Sequence, residues 1–360
     1  MFANLGTVLF SLYSTLAVQV LTRSGLGRYW RLEATAEDNQ NMRIATYNLR
    51  FDSMPDNITV QQSLASLPDP LQQISYYGKT GEQPWSARRI KVFEHLESAG
   101  VVLAGFQEAL VRQVTDLAEL LGDGWGWVGV GRDDGVAAGE FSPIFYKKSD
   151  VTLVSNDTFW LSNTPDVPSF FPGAGSRRIC TATQLILKTD AGRAIHFTYL
   201  NTHLDDQSDG QRRLGASMIL ARARFEAFKT GGPVIVTGDF NSPATGTDSG
   251  AYQIITGELP PVAINQTFAE KYAVPAGALP NFTMVDLKGQ APRSAVSGNY
   301  ATYTGFNAPG DASVYTRIDF VFGGSNGKWT SDAHHVGWSL TDDGVLASDH
   351  RPVFQDVTLH

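Results

Sequence analysis

The sequence has almost no cysteine. Cys180 stands alone among 360 residues, so no disulfide can form within the chain and the core must hold the fold together. An isolated thiol is expected to be buried as a small apolar residue rather than to react. An excess of positive charge is also missing: 28 Lys and Arg face 36 Asp and Glu, a formal net charge of −8. Such a chain gains no sequence-independent attraction to a polyphosphate backbone, which counts against long nucleic acid as a substrate. A local basic groove or metal-neutralised acids could coexist with that total, so nucleic acid stays open as an alternative. No unit recurs at a period of about 20 to 50 residues, which sets aside solenoids and propellers. No low-complexity tract and no Pro/Ser-rich linker divides the chain.

A hydrophobic content of 42% with 11% aromatics supplies a large core. One folded domain, residues 41–360, is expected after an N-terminal extension, residues 1–40. Phe2 to Leu21 is largely apolar and carries no charged side chain before Arg23. It reads as a secretion signal with Ala17 near a cleavage point, although the basic stretch that opens a good signal is missing. A membrane anchor and a buried N-terminus are the alternatives. Acceptor sequons at Asn57, Asn156, Asn265 and Asn281 fit a secreted glycoprotein. The expectation is a secreted monomer without a stable membrane span; a cytoplasmic protein is the alternative.

Along the chain, strands end in polar residues. Arg43 to Tyr47 reads as a strand stopping at Asn48, and the apolar run Val101 to Phe106 stops at Gln107 and Glu108. Ile195 to Leu200 leads into Asn201, Thr202 and His203, and Val234 to Thr237 leads into Asp239, Phe240 and Asn241. Ile318 to Phe322 carries Asp319 between apolar neighbours, a costly place for a charge without a partner. Helical spacing links Leu110, Val114, Leu117 and Leu121, and also Leu214, Met218, Ala221, Phe225 and Phe228. Both stripes are read as core faces. Strands interleaved with helices indicate an α/β layered fold. Ser162 to Gly175 and Gly246 to Pro280 are read as loops shaping access to a site.

Each polar strand end has a local explanation when taken alone. Asn48 would cap a turn, Glu108 would sit in the first turn of the next helix, and Asp239 would open an Asx turn. Their joint presence is what points to chemistry. Phosphoester hydrolysis calls for a hard cation on oxygen ligands, an activated water, and donors for charge on the phosphoryl oxygens. The same residues supply all three.

Six short motifs then fall in order: Tyr47 and Asn48, Gly105 to Glu108, Asn201 to Leu204, Gly238 to Asn241, Arg317 to Phe320, and Ser348 to Pro352. Together they resemble the endonuclease/exonuclease/phosphatase superfamily, the deoxyribonuclease-I-like metal-dependent phosphoesterases. The resemblance implies an α/β layered sandwich of two packed mixed β-sheets flanked by helices. It implies metal-side roles for Asn48, Glu108 and Asp349, with Mg²⁺ or Mn²⁺ as the ion. It makes Asp239 the residue that activates water and Asn241 the amide that positions the phosphate. His350, oriented by Asp319, is the histidine on the phosphoryl oxygens, and His203 the one near the transferred group. Arg178 is a candidate phosphate or leaving-group contact because a planar guanidinium matches phosphate oxygens. Asp205, Asp206 and Asp209 are expected in a solvated loop, although Asp205 could face the site. His95, His196, His334, His335 and His360 have no such context and are expected to be structural or on the surface.

The implied activity is hydrolysis of a phosphodiester or phosphomonoester by metal-assisted water. A small molecule or lipid headgroup is favoured as the substrate. A secreted nuclease and an inactive binding protein of the same fold are the alternatives.

Overall fold

The computed structural model describes residues 41–72, 81–189, 192–308 and 310–360. The expectations for residues 1–40 lie outside them. The strands are β1 (Asn41–Asn48), β2 (Leu103–Gln107), β3 (Trp125–Val128), β4 (Ile144–Lys147), β5 (Val151–Trp160) and β6 (Ile179–Lys188). They continue with β7 (Ala194–His203), β8 (Val234–Asp239), β9 (Met284–Asp286), β10 (Asp319–Gly324), β11 (Trp329–Val336) and β12 (Val353–Leu359). The helices are α1 (Val60–Ala65), α2 (Trp85–Ala99), α3 (Val111–Leu121), α4 (Asp209–Thr230), α5 (Gly250–Thr256) and α6 (Gln266–Lys271).

The strands form two mixed six-stranded sheets, ordered β11-β12-β1-β2-β4-β3 and β5-β6-β7-β8-β10-β9. Each has one parallel pair at its centre, β1 with β2 and β7 with β8. Central strands are covered on both faces, which is why their sequences are continuous apolar runs. Alternate residues sort between layers. Ile44, Leu103, Phe197 and Ile235 fill the space between the sheets. Ala45, Ala104 and Phe106 pack outward with Trp85, Val114 and Leu117 of α2 and α3. Leu200, Val236 and Phe320 pack outward on the other side with Leu214 and Met218 of α4. This is the expected layered sandwich. No helix among the described residues is long and apolar enough to cross a membrane.

Two expectations change in detail. Gly246 to Pro280 is not all loop, since α5 and α6 lie within it and bury Ala251, Ile254, Ile255 and Phe268. A structureless connection of that length is uncommon because its polar backbone would go unsatisfied. The α4 stripe also leaves the core at its end: Leu214 and Met218 are buried, whereas Phe228 is 44% exposed. A 22-residue helix extends about 33 Å, while the six residues of β8 span about 20 Å. The last turn therefore overhangs the sheet.

A buried polar network joins the sheets below the site. Asn201 Nδ2 donates to the carbonyls of Phe106 and Pro143, and Asn201 Oδ1 accepts from Gln107 Nε2 at 2.7 Å. Gly105 permits the approach, because a Cβ there would lie 2.5 Å from Asn201 Oδ1 and 2.8 Å from Thr237 Oγ1. Gly105→Ala is expected to lower stability by about 1–3 kcal/mol through overpacking. Denaturant unfolding measures this, and an unchanged midpoint would remove the close approach as a constraint.

Candidate active site

Strand register places three functional side chains on one rung. His203 of β7 is opposite Asp239 of β8, and Asp239 is opposite Asp319 of β10. The other sheet contributes Asn48 at the end of β1, paired with Gln107, so that Glu108 follows at the same edge. Asp349 and His350 precede β12, the other neighbour of β1. Glu108, Arg178, His203, Asp239, Asn241, Asp349 and His350 line one open cavity of about 890 Å³. Asn48 and Asp319 stand behind its wall, bonded to residues that form it.

Where these strands end, the backbone is strained. Arg50, Glu108 and Asn241 have φ of 54°, 59° and 46°, a left-handed conformation that costs a non-glycine residue roughly 1–3 kcal/mol. All three line the cavity. Local hydrogen bonds hold two of these turns: Arg50 N donates to Asn48 Oδ1, and Asn241 N donates to Asp239 Oδ1, each at 2.9 Å.

The two histidines are in opposite protonation states. Burial pushes His350 down, but the charge and hydrogen bond of Asp319, with Asp239 and Asp349 nearby, more than offset it and hold the imidazole at about 10. The Nδ1 to Asp319 Oδ2 distance is 2.8 Å, and Nε2 lies 3.6 Å from Asp239 Oδ2. His350 is therefore an imidazolium at neutral pH. Burial pushes Asp239 up and Asp319 adds to this, against His350 and the hydrogen bonds from Asn48 and Asn241, leaving it at about 7. His203 is driven well below its ordinary value by burial, with Arg178 adding to the effect. It is neutral. Asn241 Nδ2 approaches its Nε2 at 3.1 Å and also donates to the Leu204 carbonyl at 3.0 Å. Nε2 is thus the acceptor, and the proton sits on Nδ1, 3.7 Å from Glu140 Oε2.

This geometry gives two amides further partners. Both hydrogens of the Asn241 side chain are committed to Leu204 and His203, so the amide orients His203. Asn48 spends its oxygen on Arg50 N, while its Nδ2 bridges Glu108 Oε1 and Asp239 Oδ2, each at 3.0 Å. It clamps two carboxylates together, and its oxygen, with one lone pair given to Arg50 N, keeps a second.

Glu108 and Asp349 remain as oxygen donors facing the cavity. Burial raises Asp349 and the Glu108 charge raises it further, against the pull of His350 and Arg50. Two carboxylates in mutual repulsion, with Arg50 shared with Glu82, fit a hard divalent cation on oxygen ligands. Donor atoms of Asp239, Asp319 and His350 also lie within 4.8 Å of one another. There, however, the Asp319–His350 hydrogen bond occupies the best donor pair and the imidazolium repels a cation, so Glu108 and Asp349 are the better seat.

Arg178 lines the cavity as expected. Its Nε and Nη2 are held by Asp205 at 3.2 Å and Asp206 at 2.7 Å, and its buried Nη1 has no partner among the described residues. Asp205 is fully buried and not part of a solvated loop. Its carboxylate accepts from the backbone of Gly175, Ser176, Gln207 and Ser208, which offsets the cost of burying the charge. Sequence reasoning missed Glu140, Arg50 and Tyr303 in the cavity wall. Glu140 comes from the irregular stretch between β3 and β4, and Tyr303 reaches His350, ring centroids 5.0 Å apart, from a segment without periodicity. Neither stretch carries a signal that would have found it.

An α/β sandwich whose facing strand ends gather buried acids, an imidazolium and a guanidinium with one nitrogen still unpaired defines a hydrolase acting on phosphoric esters. The chain belongs to the Endonuclease/Exonuclease/phosphatase family, whose model matches residues 45–350. Members of that family are typically metal-dependent. An endonuclease/exonuclease/phosphatase from Bacteroides vulgatus is 28% identical over 89% of this chain and 99% of its own, with a TM-score of 0.66. An endonuclease/exonuclease/phosphatase family protein from Bacteroides thetaiotaomicron, 23% identical over 88% and 98%, has a TM-score of 0.62. A mannosyl-6-phosphatase from Bacteroides thetaiotaomicron VPI-5482, 24% identical over 88% and 99%, has a TM-score of 0.61. These last two share the fold. No curated protein matches the chain by sequence.

His350 offers a direct test of the electrostatics. A folded-state value raised above the unfolded one contributes stability that is complete below about 6.5 and lost as pH rises through about 10. By NMR titration the His350 ring should stay protonated past pH 8 in the wild type and lose its proton at lower pH in Asp319→Asn. Identical titrations in the two proteins would show that Asp319 does not set the charge.

Proposed function

We propose that this chain hydrolyses a small phosphoester by in-line attack of water, with Mg²⁺ or Mn²⁺ on Glu108 and Asp349. The observation that carries this reading is Asp239, a buried carboxylate held at about 7 and set 3.6 Å from both His350 and His203. A base in that range is about half ionised at neutral pH and, when ionised, strong enough to take the water's proton. The water oxygen bonds to phosphorus as the bond to the leaving oxygen breaks. The water's proton passes to Asp239, and the leaving oxygen collects one from solvent at the open mouth of the cavity.

Charge grows on the phosphoryl oxygens during this step. The His350 imidazolium and the free Nη1 of Arg178 are fixed donors for it, already oriented by Asp319 and by Asp205 with Asp206, so little reorganisation is needed. His203, neutral and locked by Asn241, presents an uncharged edge beside Asp239 and does not compete for its proton. A cation held by Glu108 and Asp349 would supply Lewis-acid polarisation of the phosphate. A nuclease reading is weaker, since no lysine lines the cavity, Arg50 and Arg212 are paired with acids, and Arg178 keeps one nitrogen unpaired among the described residues.

Hydrolysis of an aryl phosphomonoester and a bis-aryl phosphodiester with Mg²⁺, Mn²⁺ or chelator tests this. Turnover should vanish with chelator and fall about 100-fold or more in His350→Ala and Asp239→Asn. Against pH, kcat/KM should rise as Asp239 deprotonates near 7 and fall as His350 loses its proton towards 10. Chelator-insensitive turnover, or a profile unchanged in both variants, would refute the assignment.

A further inference from the structure

Between β9 and β10 the chain crosses the site as a short strap, residues 301–305. It lies between the segment that leads into β10 and the one that leads into β12, because Tyr303 pairs with Thr316 on one side and with His350 on the other. Tyr303 N donates to the Thr316 carbonyl at 3.0 Å, and its own carbonyl accepts from Thr316 N at 3.1 Å. Opposite, Thr304 N and Gly305 N donate to the Asp349 carbonyl at 2.8 and 3.0 Å, and Arg351 N donates to the Thr302 carbonyl at 2.6 Å. The Thr302 hydroxyl accepts from the backbone N–H groups of Ile318 and Asp319 at 3.1 and 3.0 Å. The strap thus joins the two backbone segments that carry Asp319 and His350, and its own position is fixed from both edges.

Tyr303 stands at the centre of the strap. Its ring packs against His350, centroids 5.0 Å apart at 61°, and its side chain lines the cavity. Burial and the charge of Asp349 keep the phenol protonated, and Arg50, Glu108 and Asp239 are the other charged groups that act on it. All four line the same cavity. The hydroxyl makes no hydrogen bond among the described residues, so its proton is available to a ligand. Ser176, Thr245 and Thr247 also bring hydroxyls to the cavity, but on its far wall, from the loops before β6 and after β8.

We propose that the Tyr303 hydroxyl is a further catalytic residue of this site, donating a hydrogen bond to a phosphoryl oxygen on the flank formed by Glu108 and Asp349. The proposal rests on the phosphoester-hydrolase reading above and adds a third donor to His350 and Arg178. That flank carries two carboxylates, and the arginine beside them, Arg50, is shared between Glu82 and Glu108. Apart from a bound cation, a phosphoryl oxygen meets a donor there only if a neutral side chain offers one. A lysine or a free arginine in the same place would pair with Glu108 and Asp349 and compete with the cation for them. A phenol donates without doing so. Because the strap fixes the ring in advance, the hydroxyl meets the charge that grows on the phosphoryl oxygens with little reorganisation.

The test compares the full wild-type chain with Tyr303→Phe, which keeps the ring against His350 and removes only the hydroxyl, and with Tyr303→Leu, which removes both. Each is checked for an unchanged melting profile and assayed with Mg²⁺ on an aryl phosphomonoester, with orthovanadate as the inhibitor. In Tyr303→Phe, kcat/KM should fall about 10- to 100-fold, the range of one hydrogen bond to a charged group. Vanadate, which mimics five-coordinate phosphorus, should bind more weakly by a similar factor. The Mg²⁺ concentration for half-maximal turnover should stay as in the wild type. Wild-type efficiency in Tyr303→Phe overturns the proposal, and a loss confined to Tyr303→Leu then assigns the effect to the ring. A loss in Tyr303→Phe matched by weaker Mg²⁺ activation also overturns it, by placing the hydroxyl on the cation. Both outcomes leave the hydrolase reading intact, whereas a wild type that hydrolyses no ester overturns the two together.

Discussion

The ion pair between Asp319 and His350 is the constraint on which the site depends. It crosses from one sheet to the other, with both partners buried and 2.8 Å apart. A buried charge without a partner costs several kcal/mol, so neither residue can be seated without the other. Once they are seated, the rest follows. The imidazolium tempers the neighbouring Asp239, and register places His203 beside that carboxylate. Asn48 then ties Asp239 to Glu108 across the gap between the sheets. The result is a fixed gradient of charge: acids towards the cavity mouth at Glu108 and Asp349, and a cation beyond Asp239.

Backbone strain has a clear place in this arrangement. The left-handed residues Arg50, Glu108 and Asn241 follow β1, β2 and β8 within two positions of each strand's end. Each lets the chain turn off its sheet at once, so the last side chains remain at the edge instead of being carried away by a gradual loop. The deep core beneath and the Asn201 network between the sheets supply the rigidity that keeps such conformations populated. Arg88, fully buried, adds to this by donating to the carbonyls of Leu49, Arg50 and Ala347, which pins the loop after β1 to the segment before His350.

Local and catalytic readings of the strand ends turn out to be compatible. Asn48 does cap a turn and Asp239 does open one, yet each also faces the cluster with its remaining atoms. A short polar side chain has two functional ends, and a sequence displays the residue without saying where either end goes. That explains why Asn48 and Asn241, read from the sequence at the metal and the phosphate, also hold Glu108, Asp239 and His203 in place. It also explains Asp205: in sequence it belongs to an acidic run, but in space it is the point where backbone donors of two loops converge.

The sequence by itself determined the layers and the list of strand-end residues. Apolar runs buried on both faces specify central strands, and polar residues at their ends can be counted without knowing how the strands pair. Only the tertiary structure decided which side chains share a rung, which protonation state each histidine holds, and which loops build the far wall of the cavity. Those properties depend on distances between residues up to 300 positions apart, such as Asn48 and Ser348. Coulomb and hydrogen-bond energies vary with that separation in space and carry no trace in local composition. For the same reason Glu140 and Tyr303, on irregular segments, became visible only once the two sheets had been packed together.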